Sequence, residues 1–312
     1  MEATRHIPVL LKEVLDYLQC QPGRIYIDGT IGSGGHARAI LERSSPSGRL
    51  VGLDWDEEAL TRARVNLASF GERVELRKIN FKELGTVLES LAIPAVDGIL
   101  LDLGLSTEQL ENEERGFSFR LDGPLDMRMS QETRMTARDL LQRLSVAELN
   151  QAIGQFGEER WARRIAQAIG RSREKEPIRR TSDLARIVVK AVRRARGRIH
   201  PATRTFQALR IFVNQELDNL KDFLAHGHEF LNPGGRLCII AFHSLEDRIV
   251  KENFRHLAQG KDAPFLQILT RKPIRPSVEE VQANPQARSA KLRVAEKLPA
   301  GLKGDLYGRS DL

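Results

Sequence analysis

The sequence predicts an α/β fold in which a mostly parallel, doubly wound sheet is interrupted by a long helical segment. Three observations carry that prediction. Strand candidates end at Asp28, Asp54, Phe81 and Asp102, 21 to 27 residues apart; this rhythm suits βαβ units and a parallel sheet buried on both faces. The rhythm stops near Glu111, and only loop and helix patterning follows until about Ile211. It resumes with the apolar run Arg236 to Phe242, after the turn signal Asn232-Pro233-Gly234-Gly235.

The elements follow in order. After His6-Ile7-Pro8, Leu11, Val14, Leu15 and Leu18 fall on one face of a helix. Ile25 to Asp28 is a short buried strand running into a glycine cluster, Gly29 to Gly35. Arg49 to Asp54 is a second strand, and Asp56-Glu57-Glu58 then opens a helix with the acidic first turn that the helix dipole favours. Val74 to Ile79 and Val96 to Asp102 are the third and fourth strands. Within the interruption, Gly116 to Phe119 and Asp122 to Leu125 read as loop. Ser145 with Glu148 reads as a capping box, and Thr181-Ser182-Asp183 as the start of a helix carrying Leu184, Ile187, Val188 and Val192. Two strand candidates close the chain, Phe265 to Thr270 and Lys291 to Lys297, joined by a Pro-containing loop. The expected division is a discontinuous sheet domain, 1–112 and 213–312, and a helical insertion, 113–212.

The 312 residues are 41% hydrophobic and 29% charged, ordinary for a soluble globular chain. Cys20 and Cys238 form no C-x-x-C pair, which argues against a disulfide framework or zinc site; no metal is expected. The first residues lack the apolar run of a leader. Leu237 to Phe242 is far short of the roughly 20 apolar residues a membrane helix needs, so no membrane role and a cytoplasmic location are expected. The net charge of +7 leans towards a polyanionic partner. Between Arg160 and Arg210, sixteen Lys/Arg face three Asp/Glu. That surplus of thirteen leaves a deficit of six in the rest, so the basic character is assigned to the insertion and an acidic one to the sheet domain.

The strongest chemical signal is Asp28-Gly29-Thr30-Ile31-Gly32-Ser33-Gly34-Gly35-His36 between a strand and a helix. Glycines there let the backbone approach a ligand, with the helix N-terminal N–H groups facing it. Asp54, ending the next strand, stands where a carboxylate can accept from both hydroxyls of a ribose. Gly32 to Ala37 also fits the dinucleotide pattern G-x-G-x-x-G/A, so a nicotinamide enzyme is a competing reading. Two features favour S-adenosylmethionine: Asp28 ahead of the glycines would repel a pyrophosphate but attract an α-amino group, and Asp102 adds a second carboxylate at the same sheet edge.

Longer segments carry a specific resemblance. They are His6 to Leu18, Tyr26 to Thr30 with Gly34-Gly35-His36, Asp97 to Gly104, Glu114 to Phe119, Gly123 to Met129, His200 to Gln207, Phe242 to Arg248, and Asn284-Pro285 with Arg288-Ser289. In that order, over nearly the whole chain, the sequence resembles the bacterial family of cytosine-N4 methyltransferases of 16S ribosomal RNA (RsmH/MraW). The resemblance implies a class I methyltransferase fold, Rossmann-like, with an antiparallel edge strand and an inserted α-helical domain. It implies S-adenosylmethionine as cofactor and transfer of its methyl group to N4 of a decoding-centre cytosine in the small subunit. It places cofactor contacts on Gly34, Gly35, His36, Asp54, Phe81, Asp102 and Gln109. Phe81 is suited to stack on adenine; Ser106 to Gln109 equally reads as a capping box.

A cytosine amine is a weak nucleophile, so the base must be extruded and the amine held in line with the methyl group. DNA amino-methyltransferases use [D/N/S]-P-P-[Y/F] after the fourth strand, whereas Asp102-Leu103-Gly104-Leu105-Ser106 keeps only the acidic position. Asp102 reads either as the catalytic candidate or as a residue serving only the cofactor, and Phe117, Phe119 and Phe242 are candidate replacement aromatics. His243, ending the fifth strand, reads as a contact to RNA or target base, or as a supporting residue. Ser244 and Asp247 read as a helix cap. His200, Arg204 and Arg210 border the insertion's return; Arg204 reads as a phosphate contact or an interdomain ion pair. The expected partner is 16S ribosomal RNA within the small subunit, recognised by the insertion and by the run Arg193, Arg194, Arg196 and Arg198; monomer and homodimer both stay open. A catalytically silent RNA-binding assembly factor is the non-enzyme alternative.

Overall fold

The computed structural model describes residues 8–192, 199–259 and 265–299. The chain divides into two compact units, Met1–Gly104 with Leu217–Leu312, and Leu105–Glu216.

The first unit begins with α1 (Leu11–Leu18), β1 (Ile25–Asp28), α2 (Gly35–Arg43), β2 (Arg49–Asp54), α3 (Glu57–Leu67), β3 (Val74–Lys78), α4 (Leu84–Ser90) and β4 (Val96–Asp102). The second unit holds α5 (Thr107–Glu111), α6 (Ala137–Arg143), α7 (Val146–Gly157), α8 (Ala162–Arg173), α9 (Thr181–Ala191) and α10 (Thr203–Asn214). The first unit then resumes with α11 (Glu216–His226), β5 (Leu231–Ala241), α12 (Ser244–Ala258), β6 (Leu266–Ile268), α13 (Val278–Ala283) and β7 (Lys291–Lys297). The seven strands lie in the order β3-β2-β1-β4-β5-β7-β6; the first five are parallel, and β7 and β6 are antiparallel at one edge.

β1, β2, β4 and the second half of β5 are mostly apolar because each side chain has a layer to enter, whereas the edge strand β3 is only half-buried and carries Glu75, Arg77 and Lys78. Ile27, Ile99, Leu101, Leu237 and Ile239 pack with Leu84, Val87 and Leu88 of α4, Leu220, Phe223 and Leu224 of α11, and Val250, Phe254 and Leu257 of α12. Their neighbours Tyr26, Leu100, Cys238 and Ile240 point the other way, against Val14 and Leu18 of α1, Ile40 and Leu41 of α2, and Leu60, Ala63 and Leu67 of α3. The two-residue strand period thus splits one sheet between two cores. Fully burying each Leu, Ile or Phe contributes about 1.5–3 kcal/mol.

Local chemistry sets the helix starts. Asp56 accepts from the Glu58 N–H at 3.1 Å and begins α3, while reciprocal capping boxes begin α6 at Thr136 and α7 at Ser145. Two starts differ from the sequence reading. The cap of α12 is His243 rather than Ser244, and that of α9 is Arg180 rather than the Thr181 cluster. The segment Asn232 to Gly235 also differs: it lies inside β5, with Gly234 at φ 79° and a register shift opposite Val96 and Gly98. It is a bulge within the strand, since β5 pairs with β4 on both sides of it.

The second unit is helical, and its described residues contain no strand beyond an isolated bridge of Pro124 to Arg180. Within it α10 packs on α7 and α6, α7 on α8, and α8 on α9. The first boundary precedes α5 rather than following it. The charge assignment needs correction on these bounds. The sheet unit is neutral, with 27 Lys/Arg and 27 Asp/Glu, while the helical unit has 22 against 15. The basic run is partly offset by acidic residues that flank it within its own unit.

Candidate functional site

The ends of β1, β2 and β4 gather three carboxylates around the glycine loop. Gly34 turns the chain into α2 with φ 87°, a conformation that strains any residue bearing a Cβ. Gly35 lies so close to Pro8 that a Cβ would meet its Cγ at 2.6 Å. Asp54 Oδ2 accepts from the Gly32 N–H at 3.0 Å, and its Oδ1 from the Asp56 N–H at 2.9 Å. The residue that the sequence reading assigns to a ribose thus braces the loop in this structure; each carboxylate oxygen retains further acceptor capacity.

Asp28 is 1% exposed and accepts from the Thr30 N–H at 3.2 Å. The Thr30 hydroxyl accepts from the Asp102 N–H at 2.7 Å, tying the end of β4 to the loop. Asp102 Oδ2 lies 3.6 Å from His36 Nδ1, and Asp102 Oδ1 is buried without a hydrogen-bond partner. His36 is itself buried, with Nε2 2.9 Å from the Val9 carbonyl. Since a carbonyl only accepts, Nε2 carries a proton, and in the neutral ring Nδ1 faces Asp102 as a lone pair.

Three carboxylates in so little water are costly, and their proton affinities rise. Burial, with the Asp54 charge adding to it, pushes Asp28 up to about 7 despite the Thr30 N–H. Burial pushes Asp54 up to about 6, against the opposing backbone N–H bonds. Burial and then the charges of Asp28 and Glu246 raise Asp102 well above the usual carboxylate range. An unpaired acceptor on Asp102 beside the buried Asp28 and the half-buried Asp54 is an environment suited to a cation with N–H or O–H donors.

The other expected residues fall as follows. Phe81, just beyond β3, packs edge-on to Phe223 with centroids 5.8 Å apart, and its Cβ lies 3.1 Å from a Cβ built on Gly29. It thus borders the loop. His243 caps α12: its Nδ1 accepts from the Glu246 N–H at 3.3 Å, with Nε2 3.1 Å from Glu246 Oε1. Asp247 bonds Lys291 at 3.1 Å and Arg293 at 2.6 Å, a structural tie to β7 that lowers its proton affinity.

In the helical unit, Gln109 completes the capping box of α5. Its side chain accepts from the Ser106 N–H at 3.1 Å, and its own N–H donates to the Ser106 hydroxyl at 3.1 Å. His200 is exposed and stacks on Phe119 with centroids 4.4 Å apart. Arg204 donates to the Glu158 carbonyl at 2.8 Å rather than to a carboxylate. Arg210 pairs with Glu216 through two bonds of 2.8 Å, and Phe117 is buried near Arg115. Arg193, Arg194, Arg196 and Arg198 lie outside the described residues.

Two contributors escaped the sequence reading, Thr30 and Glu246. Thr30 was visible inside the loop, but only the fold brings its hydroxyl to β4. Glu246 is 2% exposed and accepts from the Phe242 N–H at 2.8 Å. Its signal was the spacing His243 to Glu246, a capping box with histidine in the usual place of serine.

Comparison with known proteins gives a consistent picture. Residues 3–298 match the model of the MraW methylase family. A protein of Geotalea uraniireducens, named ribosomal RNA small subunit methyltransferase H, is 49% identical over 312 residues, covering 96% of this chain and 100% of its own. Proteins of that name from Syntrophotalea carbinolica and Geobacter sulfurreducens are 50% and 52% identical, covering 95% and 94% of this chain and 99% of their own.

Proposed function

The chain belongs to the MraW methylase family, and from that premise we propose that it is an S-adenosylmethionine-dependent methyltransferase of ribosomal RNA. The acceptor is the exocyclic N4 amine of a decoding-centre cytosine in the 16S RNA of the small subunit. The observation that carries the cofactor reading is the cluster Asp28, Asp54 and Asp102 around the glycine loop, with Asp102 Oδ1 unpartnered. A dinucleotide would bring two negative charges to this loop; S-adenosylmethionine brings an ammonium and a sulfonium.

Bound there, S-adenosylmethionine supplies an electrophilic methyl group on a positively charged sulfur. Asp28 and Asp102 offer their carboxylates to the ammonium side, Asp54 accepts from the ribose hydroxyls, and Phe81 borders the adenine. Gly34, Gly35 and His36 keep the loop and helix start close, and Gln109 contributes as the resemblance implies. With the cofactor held there, methyl transfer would form a bond from N4 to the methyl carbon in place of the sulfur–carbon bond, and the amine would have to shed one proton. Asp102 is the acceptor for that proton: it ends β4 with an unpartnered Oδ1, and burial raises its proton affinity above the usual carboxylate range. His36 Nδ1 lies 3.6 Å from Asp102 Oδ2 and lines that side of the carboxylate.

The helical unit is proposed to recognise the RNA. Arg163, Arg164 and Arg171 are exposed on one side of α8, and His200 and Arg204 are exposed near the start of α10. His243 is assigned a supporting place under the acceptor base. Action within the cytoplasm on the ribosomal small subunit follows from the same reading. The test is labelled methyl transfer to small subunits, free RNA and DNA, followed by nucleoside mass spectrometry. Label in N4-methylcytidine from the small subunit is the expected result; label in DNA, or in another nucleoside, would refute the assignment.

A further inference from the structure

The sheet unit carries a cationic depression remote in sequence from the glycine loop. Lys251, Phe254 and Arg255 of α12, Ile268 of β6, Thr270, Arg271 and, from β7, Arg293 line a shallow, open hollow. Four of these seven residues are cations and none is an acid.

The packing explains why the hollow exists. Phe254 and Ile268 are core residues at its floor. Arg293 is buried and fixed by Asp247 at 2.6 Å, so its charge is largely spent. Lys251 and Arg255 are four residues apart and share a face of α12; among the described residues neither is paired with a carboxylate. Thr270 is 4% exposed, and its oxygen already accepts from the Val294 N–H at 2.9 Å, which leaves the hydroxyl proton to donate. Arg255 in the last turn of α12 also complements the helix dipole. That accounts for one cation, but not for Lys251 and Arg271 meeting it from different elements.

A flexible ammonium, a guanidinium and a hydroxyl donor around an open hollow are the donor set of a phosphodiester contact, and an open site takes the outside of a polymer rather than enclosing a small molecule. We infer that this hollow, centred on Lys251, Arg255 and Thr270, is a phosphate-backbone anchor for the RNA substrate on the sheet unit. This rests on the reading of the chain as an RNA methyltransferase. It places part of the RNA footprint in a unit whose net charge is zero and which composition alone gives no reason to assign to RNA.

Lys251→Gln with Arg255→Gln tests it in the full chain, with fluorescently labelled 16S ribosomal RNA and a salt series from 50 to about 200 mM, the range over which counterion release is steep. Each lost phosphate contact removes roughly 0.7–0.9 from the log–log salt slope, so the double variant should bind with a slope flatter by about 1.5 and about 10- to 30-fold more weakly at 0.1 M salt. Arg43→Gln with Arg49→Gln removes the same charge from exposed positions elsewhere on this unit; it should leave the slope within a few tenths of wild type. S-adenosylhomocysteine affinity equal to wild type certifies the fold, and Arg255→Gln alone serves as the milder variant.

Equal slopes for wild type and the Lys251/Arg255 variants would overturn the anchor, as would equal losses in both double variants, which would make the effect bulk charge. A wild type that binds no RNA would refute the methyltransferase reading along with it, whereas normal wild-type binding and unaffected variants refute the anchor alone.

Discussion

Replacing Asp54 by alanine separates folding from cofactor binding. In the protein the carboxylate accepts the Gly32 and Asp56 N–H groups at 3.0 and 2.9 Å. Losing it orphans two partly buried donors, at about 1–3 kcal/mol each. Against this, burial raises the Asp54 carboxyl from 3.8 to about 6; at pH 7.5 its ionised form therefore costs the fold about 3 kcal/mol relative to the neutral one. Alanine removes that cost. The two effects oppose each other, and the variant should remain folded, with a stability within about 2–3 kcal/mol of wild type.

No such offset exists for the ligand. Loss of a charged acceptor to ribose hydroxyls should weaken S-adenosylmethionine binding by about 1.5–3 kcal/mol, 10- to 100-fold. Calorimetric titration with S-adenosylhomocysteine, beside urea unfolding of the same preparation, measures both quantities. A folded Asp54→Ala variant with wild-type affinity would refute the assignment of β2's end to the ribose. A variant that fails to fold would refute the offset and show the loop brace to dominate.

Three further outcomes follow from the same geometry. Asp102→Asn should lower turnover at saturating cofactor by more than it lowers cofactor affinity, because the amide cannot take the amine's proton; loss of affinity with normal kcat would leave Asp102 a binding residue only. The folded-state proton affinities of Asp28 and Asp54 are raised, to about 7 and about 6. Their contribution to the stability of the ligand-free protein is therefore complete below the unfolded carboxylate range and lost as pH rises through 6 and 7. S-adenosylmethionine affinity should rise over the same window as the carboxylates ionise, and pH-independent binding between 5.5 and 7.5 would contradict the charged cradle. Asp247→Asn should destabilise the fold by about 2–4 kcal/mol, since it leaves Lys291 and Arg293 without their carboxylate, while S-adenosylhomocysteine affinity stays unchanged; a thermal midpoint equal to wild type would show that tie to be idle.

Much of this was legible from residues alone. Unbroken apolar runs located β1, β2, β4 and the core of β5, because parallel strands buried on both faces must be apolar without a break; the edge strand β3, with three charged residues, was located by the spacing of the repeat. The glycines of the loop were legible because a backbone at positive φ and a close approach to Pro8 exclude side chains. Asp28, Asp54 and Asp102 were legible as strand ends, so the acidic character of the site followed from spacing. Local order failed where two registers satisfied the same chemistry. Either Ser244 or His243 could cap α12, and packing of Glu246 behind the β5 end selected the histidine. Asn232 to Gly235 has turn composition, yet pairing with β4 on either side holds it inside β5 as a bulge.

What the sequence determined, then, was the alternation of elements and which residue types end each strand, since both depend on neighbours a few positions away. Tertiary structure alone decided how those ends meet. The bond from the Asp102 N–H to Thr30 spans 72 positions, and the approach of His36 to Asp102 joins α2 to β4. The same holds for charge. A count along the chain made the sheet domain acidic, but folding places Lys251, Arg255 and Arg271 around one hollow and leaves three acids at the opposite kind of site. Electrostatic potential depends on distance in space, which sequence separation does not fix; that is why composition located the excess of positive charge and only the fold located where it acts.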